Sequence, residues 1–128
     1  MSTKTILIID DESDFRFSMS LILKAQGFNI IEAGDGIEAL EKLSTLQEQN
    51  KNVALIVTDL RMPGMGGIEL LERLSRHNNE IKVLVITGYG DRETTNRIKK
   101  MGYSQILNKP FSAEVLINQV NYVLSENY

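Results

Sequence analysis

Four apolar stretches of this chain stop at polar, reactive residues. Ile6-Leu7-Ile8-Ile9 runs into Asp10 and Asp11, Val53-Ala54-Leu55-Ile56-Val57-Thr58 into Asp59, Val83-Leu84-Val85-Ile86 into Thr87, and a shorter run from Gln105 to Asn108 into Lys109. In an open parallel sheet, ligands bind in the crevice beyond the carboxyl ends of the strands, so residues remote in sequence can converge there. Carboxylates, one hydroxyl and one ammonium suit an oxygen-loving divalent cation together with a phosphoryl group.

The elements needed to bring these residues together can be traced along the chain. The run from Ile6 to Ile9 has the β-branched, uninterrupted character of a strand buried on both faces. From Ser13, a candidate N-cap, to Gln26 the residues Phe15, Met19, Ile22 and Leu23 recur at helical spacing, and Gly27 follows where a left-handed cap is usual. A second strand from about Asn29 to Ala33 leads to Gly34-Asp35-Gly36, with Asp35 and Glu38 spaced as an acidic cap and its partner for a helix from Ile37 to about Glu48. The third strand carries Asp59, and Arg61-Met62-Pro63-Gly64-Met65-Gly66-Gly67 is a loop too rich in Pro and Gly to be helical, its Gly64-x-Gly66-Gly67 part reading as a flexible wall because it lacks the Lys-Ser/Thr of a P-loop; a helix near Ile68 then uses Leu71 and Leu74. The fourth strand delivers Thr87. The polar stretch from Asp91 to Met101 predicts a weakly anchored helix held by Ile98 and Met101. After the fifth strand and Lys109-Pro110, Ser112 caps a last helix that uses Leu116, Val120, Val123 and Leu124. Parallel strands need crossovers, and right-handed crossovers place helices on both faces, so the expected fold is a doubly wound α/β sandwich.

Composition narrows the function classes. The 128 residues suit a single domain able to bury a core without metals or disulfides. With 42% hydrophobic and 24% charged residues the chain is ordinary globular protein, and its net charge of -3 argues against direct nucleic-acid binding. The absence of cysteine excludes disulfides and thiolate metal sites. The first apolar run is too short for a signal sequence or a membrane span, so the expected setting is cytoplasmic.

Taken together, the residues resemble the receiver domain of two-component response regulators, and the likeness covers the whole chain. It is carried by Ile8-Ile9-Asp10-Asp11-Glu12, by Val57-Thr58-Asp59-Leu60-Arg61-Met62-Pro63-Gly64-Met65-Gly66-Gly67, by Thr87-Gly88-Tyr89 and by Asn108-Lys109-Pro110-Phe111. Each piece alone is weak, but four in order across five strand-helix units are strong. The resemblance implies a flavodoxin-like sheet of order 2-1-3-4-5, Asp59 as phosphoacceptor, Asp10 and Asp11 as the metal site, and Thr87 and Lys109 as phosphate contacts. It also implies a cis Lys109-Pro110 bond. The implied partners are a sensor histidine kinase or histidine phosphotransfer protein, and a downstream protein target or an output domain outside this sequence.

The chemistry also follows from the residue types. Three carboxylates in one crevice repel, and a divalent cation relieves them. Mg²⁺ takes only one or two carboxylates and keeps several waters. Asp11 and Asp59 are then expected as direct ligands, with the main-chain carbonyl of Arg61, while Asp10 acts through water. A carboxylate nucleophile such as Asp59 forms an aspartyl phosphate, splitting one hard transfer into two easier ones. An aspartyl-phosphate phosphatase of the haloacid dehalogenase type also uses Asp, Thr, Lys and Mg²⁺, but it needs an acid/base carboxylate two residues after the nucleophile, and Arg61 stands there. A binding module that has lost phosphorylation is disfavoured because every expected site residue is present.

Other residues have plainer readings or depart from the pattern. His77, beside Asn78 and Asn79, reads as a solvated helix end rather than a phosphohistidine. Receivers commonly carry an aromatic on the fifth strand, and here that position is Ile106. The expectation is therefore that loop and fourth-helix movement, with Tyr103, carries the signal. Arg61 and Tyr89, two residues past Asp59 and Thr87, are placed to hinder attacking water and lengthen the life of a phosphoryl group. Phe17 and Leu21, spaced i to i+4 outside the Phe15, Met19 and Ile22 face of the first helix, read either as an exposed apolar pair, where the resemblance implies docking of the histidine-bearing partner, or as residues partly buried under neighbouring helices. Tyr122 and Val115-Leu116-Ile117 offer an apolar surface on the last helix.

Overall fold

The computed structural model describes residues 3–61, 65–77, 81–88 and 92–125. The expectations for residues 62–64, for Tyr89 and Asp91, for Asn78 and Asn79, and for the His77 side chain lie outside this description. The chain alternates strand and helix: β1 (Thr5–Ile9), α1 (Ser13–Ala25), β2 (Asn29–Ala33), α2 (Gly36–Glu48), β3 (Leu55–Asp59), α3 (Gly67–His77), β4 (Lys82–Thr87), α4 (Arg92–Lys100), β5 (Ile106–Asn108) and α5 (Ala113–Ser125). All strand pairings are parallel, and the sheet order is β2-β1-β3-β4-β5, as expected from the sequence.

Alternation along the strands splits the apolar residues into two cores. Leu7 and Ile9 of β1, Ile56 of β3, and Val83 and Val85 of β4 face one side, where they meet Ala39 of α2, Leu70, Leu71 and Leu74 of α3, and Ile98 of α4. Ile6, Ile8, Leu55, Val57, Leu84, Ile86 and Leu107 face the other side, against Met19 and Leu23 of α1 and Leu116, Val120 and Val123 of α5. Burial on both faces explains why the strand sequences are continuously apolar rather than alternating. Truncating one of the fully buried leucines to alanine costs about 2–5 kcal/mol.

Helix ends follow local chemistry, with one correction. Asp35 caps α2 by accepting the Glu38 N–H at 2.8 Å, while the Glu38 carboxylate accepts the Gly34 N–H at 2.6 Å. Ser112 Oγ accepts the Val115 N–H at 3.2 Å and starts α5. Gly27, after α1, has φ of +96°, a conformation that disfavours a Cβ. Ser13 is not the cap of α1. Glu12 occupies that position in extended conformation and Ser13 is already helical. The Glu12 N–H is taken by Asp10 Oδ1 at 2.8 Å, so the turn out of β1 is closed before Ser13 is reached.

The fourth helix is as sparsely anchored as its sequence predicts, with Ile98 buried and Met101 packed only partly against the core. Two contacts tie this region to α3: the exposed pair Arg97–Glu72 at 3.5 Å, and the Tyr103 hydroxyl, which donates to the Leu71 carbonyl at 3.0 Å. Burial pushes the Tyr103 phenol above its ordinary pKa, which keeps that hydroxyl a donor. Ile106 is half-buried against the same core.

Candidate functional site

Strand register sets where the reactive residues meet. Ile9 pairs with Thr58, Asp59 with Ile86, and Thr87 with Asn108. Asp10, Asp59, Thr87 and Lys109 therefore emerge together at the carboxyl edge of the sheet, on either side of the point where β1 and β3 lead in opposite directions.

Lys109 lies at the centre of this edge. Its ammonium donates to Asp59 Oδ2 at 2.7 Å and stands 4.0 Å from Asp10 Oδ2. The Arg61 N–H donates to Asp59 Oδ1 at 3.0 Å, so both oxygens of the Asp59 carboxylate are oriented. Asp59 is almost wholly buried and Asp10 completely so. Asp10 Oδ1 holds the Glu12 N–H, but Asp10 Oδ2 is buried without a hydrogen-bond partner among the described residues. Burial pushes the Asp10 carboxyl from 3.8 up to about 6, against the pull of the Glu12 N–H and with the neighbouring Asp59 charge adding to the rise. For Lys109, burial works to lower the pKa, but the Asp59 hydrogen bond and the Asp59 and Asp10 charges outweigh it, so the net shift is upward and the ammonium form is reinforced.

The remaining expected residues frame this centre. Asp11 is exposed beside Asp10. Thr87 is half-buried at the end of β4, and its carbonyl accepts the Lys109 N–H at 2.8 Å. The Lys109–Pro110 bond is cis, as expected. Among the described residues no three carboxylate or histidine side chains form a ready-made metal cage. The buried, unpartnered Asp10 Oδ2, the exposed Asp11 and the Asp59 carboxylate are all oxygen donors, and they fit a hard cation that keeps much of its water.

Three contributors escaped the sequence reading. Arg16 donates to the Asp10 carbonyl at 2.6 Å and to Glu32 at 2.9 Å, fastening α1 and β2 to the end of β1. Phe15, expected only as part of a core-facing helix surface, places its ring 4.4 Å from the Lys109 ammonium and meets Phe111 edge-on with centroids 5.8 Å apart. Gly67 sits where the main chain is crowded: a Cβ there would lie 2.5 Å from Leu60 Cα and 2.9 Å from the Asp59 carbonyl oxygen. The backbone at Gly67 lies so close to that of Asp59 and Leu60 that a side chain there requires the main chain to shift. A glycine opening a helix was the available signal, whereas nothing local marked Phe15 or Arg16.

A doubly wound parallel sheet with an acidic, lysine-bearing crevice at its topological switch point defines a class of α/β proteins that bind ligands beyond the carboxyl ends of their strands. The particular family is shown by comparison: the response regulator receiver domain matches residues 6–121, and the chain belongs to that family, a receiver domain of two-component response regulators. It is 31% identical over 125 residues to chemotaxis protein CheY1 of Helicobacter pylori, covering 95% of this chain and 98% of that protein. It is 34% identical to a cyclic di-GMP phosphodiesterase of Thermotoga maritima, of which it spans only 31%. The structure of a CheY-like receiver domain protein from Methanospirillum hungatei superimposes with a TM-score of 0.87 at 28% identity, over 96% of this chain and 94% of that one.

Proposed function

We propose that Asp59 is the phosphoacceptor of a single receiver domain spanning residues 1–128, taking its phosphoryl group from the phosphohistidine of a sensor histidine kinase or a histidine phosphotransfer protein. The observation that carries this reading is the Asp59 carboxylate, oriented by the Lys109 ammonium at 2.7 Å and the Arg61 N–H at 3.0 Å beside the unpartnered oxygen of Asp10. An Asp59 oxygen attacks phosphorus, the bond from phosphorus to the partner's imidazole nitrogen breaks, and the imidazole leaves with the bonding electron pair and takes up a proton. Lys109 pairs with the arriving negative charge, and the Thr87 hydroxyl contacts a phosphoryl oxygen.

Asp11, Asp59 and the Arg61 carbonyl would hold Mg²⁺, with Asp10 acting through water. Bound there, the cation supplies charge neutralisation between the carboxylates and the phosphoryl oxygens. The chain catalyses only its own phosphorylation and dephosphorylation, and the result is a changed protein-interaction surface read by a downstream protein or an output domain. The acidic net charge favours a protein rather than a nucleic-acid target. No described helix is long and apolar enough to cross a membrane, which fits a cytoplasmic setting.

Intact mass after incubation with acetyl phosphate tests the reading. A Mg²⁺-dependent gain of one phosphoryl group in the wild type, absent in Asp59→Asn, is expected. No gain in the wild type would overturn it.

A further inference from the structure

We propose that Phe15 is a positioning residue for this phosphoryl transfer, its ring holding the Lys109 ammonium over the Asp10 and Asp59 carboxylates; the proposal rests on the receiver reading above. The ammonium has two surroundings. On one side are Asp59 Oδ2 at 2.7 Å and Asp10 Oδ2 at 4.0 Å; on the other is the Phe15 ring, with its centroid 4.4 Å away. An ammonium at that distance from a ring face is attracted by the ring quadrupole, more strongly where water is displaced, and only 22% of the Lys109 side chain is exposed.

The ring is itself braced. Phe111, two residues beyond Lys109, meets Phe15 edge-on with an interplanar angle of 65°, and both rings pack against the core between the sheet and helices α1 and α5. The pair links the first turn of α1 to the segment that carries Lys109. Lysine presents its charge on a flexible four-carbon stem, so without lateral support the ammonium samples positions away from the crevice. Attraction to a ring face has no single acceptor direction. The ammonium can therefore follow negative charge outward as a phosphoryl group joins Asp59, while the ring still confines it. A leucine would fill similar space but carries no quadrupole.

The test uses the full chain with Phe15→Leu and Phe15→Tyr, acetyl phosphate and Mg²⁺, and intact mass as the rate readout. Phe15→Leu is expected to phosphorylate about 5-fold more slowly and Phe15→Tyr at nearly the wild-type rate, because the tyrosine ring keeps its π face. The Lys109 ε-methylene protons, followed by NMR, are expected upfield in wild type and Phe15→Tyr and near ordinary lysine values in Phe15→Leu. A role confined to packing, with the ammonium away from the ring face, would leave those protons at ordinary lysine values in all three proteins. If Phe15→Leu fails to fold, Phe15→Met replaces it and the wild-type proton shift still decides the geometry. Equal rates for wild type and the leucine variant, or ordinary Lys109 shifts in the wild type, would overturn the proposal alone. A wild type that gains no phosphoryl group would overturn the receiver reading and this role with it.

Discussion

Asp10→Asn is expected to stabilise the fold at neutral pH, although it removes a residue of the proposed metal site. The Asp10 side chain is fully buried, and its Oδ2 has no hydrogen-bond partner among the described residues. Its folded pKa of about 6 against 3.8 is roughly two units, equivalent to about 3 kcal/mol of unfavourable ionisation. The sign follows from proton uptake. Because the folded state holds the proton more tightly than the unfolded chain, it carries more bound protons between pH 3.8 and about 6. Stability therefore falls as pH rises through that window, with the full deficit present above it and none below. Asparagine keeps an oxygen for the Glu12 N–H and cannot ionise. Urea unfolding at pH 7.5 in the presence of a chelator should show the variant more stable by about 2–3 kcal/mol, a shift of about 1 M in the midpoint. At pH 3.5 the two proteins should unfold together. A variant no more stable than the wild type at pH 7.5 would show that the buried charge is already compensated by Lys109, and the repulsion argument would fail.

Two further outcomes follow from the same geometry. Saturating Mg²⁺ should raise the wild-type urea midpoint, by about 2.7 kcal/mol of stability at a hundred times its dissociation constant, and should raise that of Asp10→Asn less; equal gains would remove Asp10 from the cation's surroundings. Gly67→Ala should lose about 1–3 kcal/mol and slow phosphorylation by acetyl phosphate, because its methyl group would meet Leu60 Cα at 2.5 Å; wild-type stability and rate together would show that the loop yields without cost.

What was legible in the sequence, and what was not, divides along a physical line. A parallel strand buried on both faces is built mainly of apolar side chains until it leaves the core, so the reactive residue after each such run marks a strand end. Asp10, Asp59, Thr87 and Lys109 were found in that way, and the register then places them at one edge. The weak anchoring of α4 was legible for the same reason, since a helix with one buried apolar residue has little to hold it. Contacts between segments distant in the chain were not legible. Helical periodicity marks Phe15 as core-facing, which is correct, yet it cannot say that the neighbour above the ring is an ammonium supplied ninety-four positions later in the chain. Arg16 likewise looks like an ordinary polar helix residue until β2 brings Glu32 alongside it and β1 ends under its guanidinium. The misplaced cap at Ser13 has the same origin: the Asp10 side chain holds the Glu12 N–H, the Glu12 carbonyl accepts the Arg16 N–H, and the helix starts one residue earlier, in a turn whose position depends on how β1 enters the sheet. Local pattern therefore locates the reactive groups, because they follow the apolar runs at the strand ends. The groups that hold those residues in place are drawn from faces whose partners only tertiary structure supplies, which is why substitutions at Phe15 and Arg16 are the ones a sequence-based ranking would place too low.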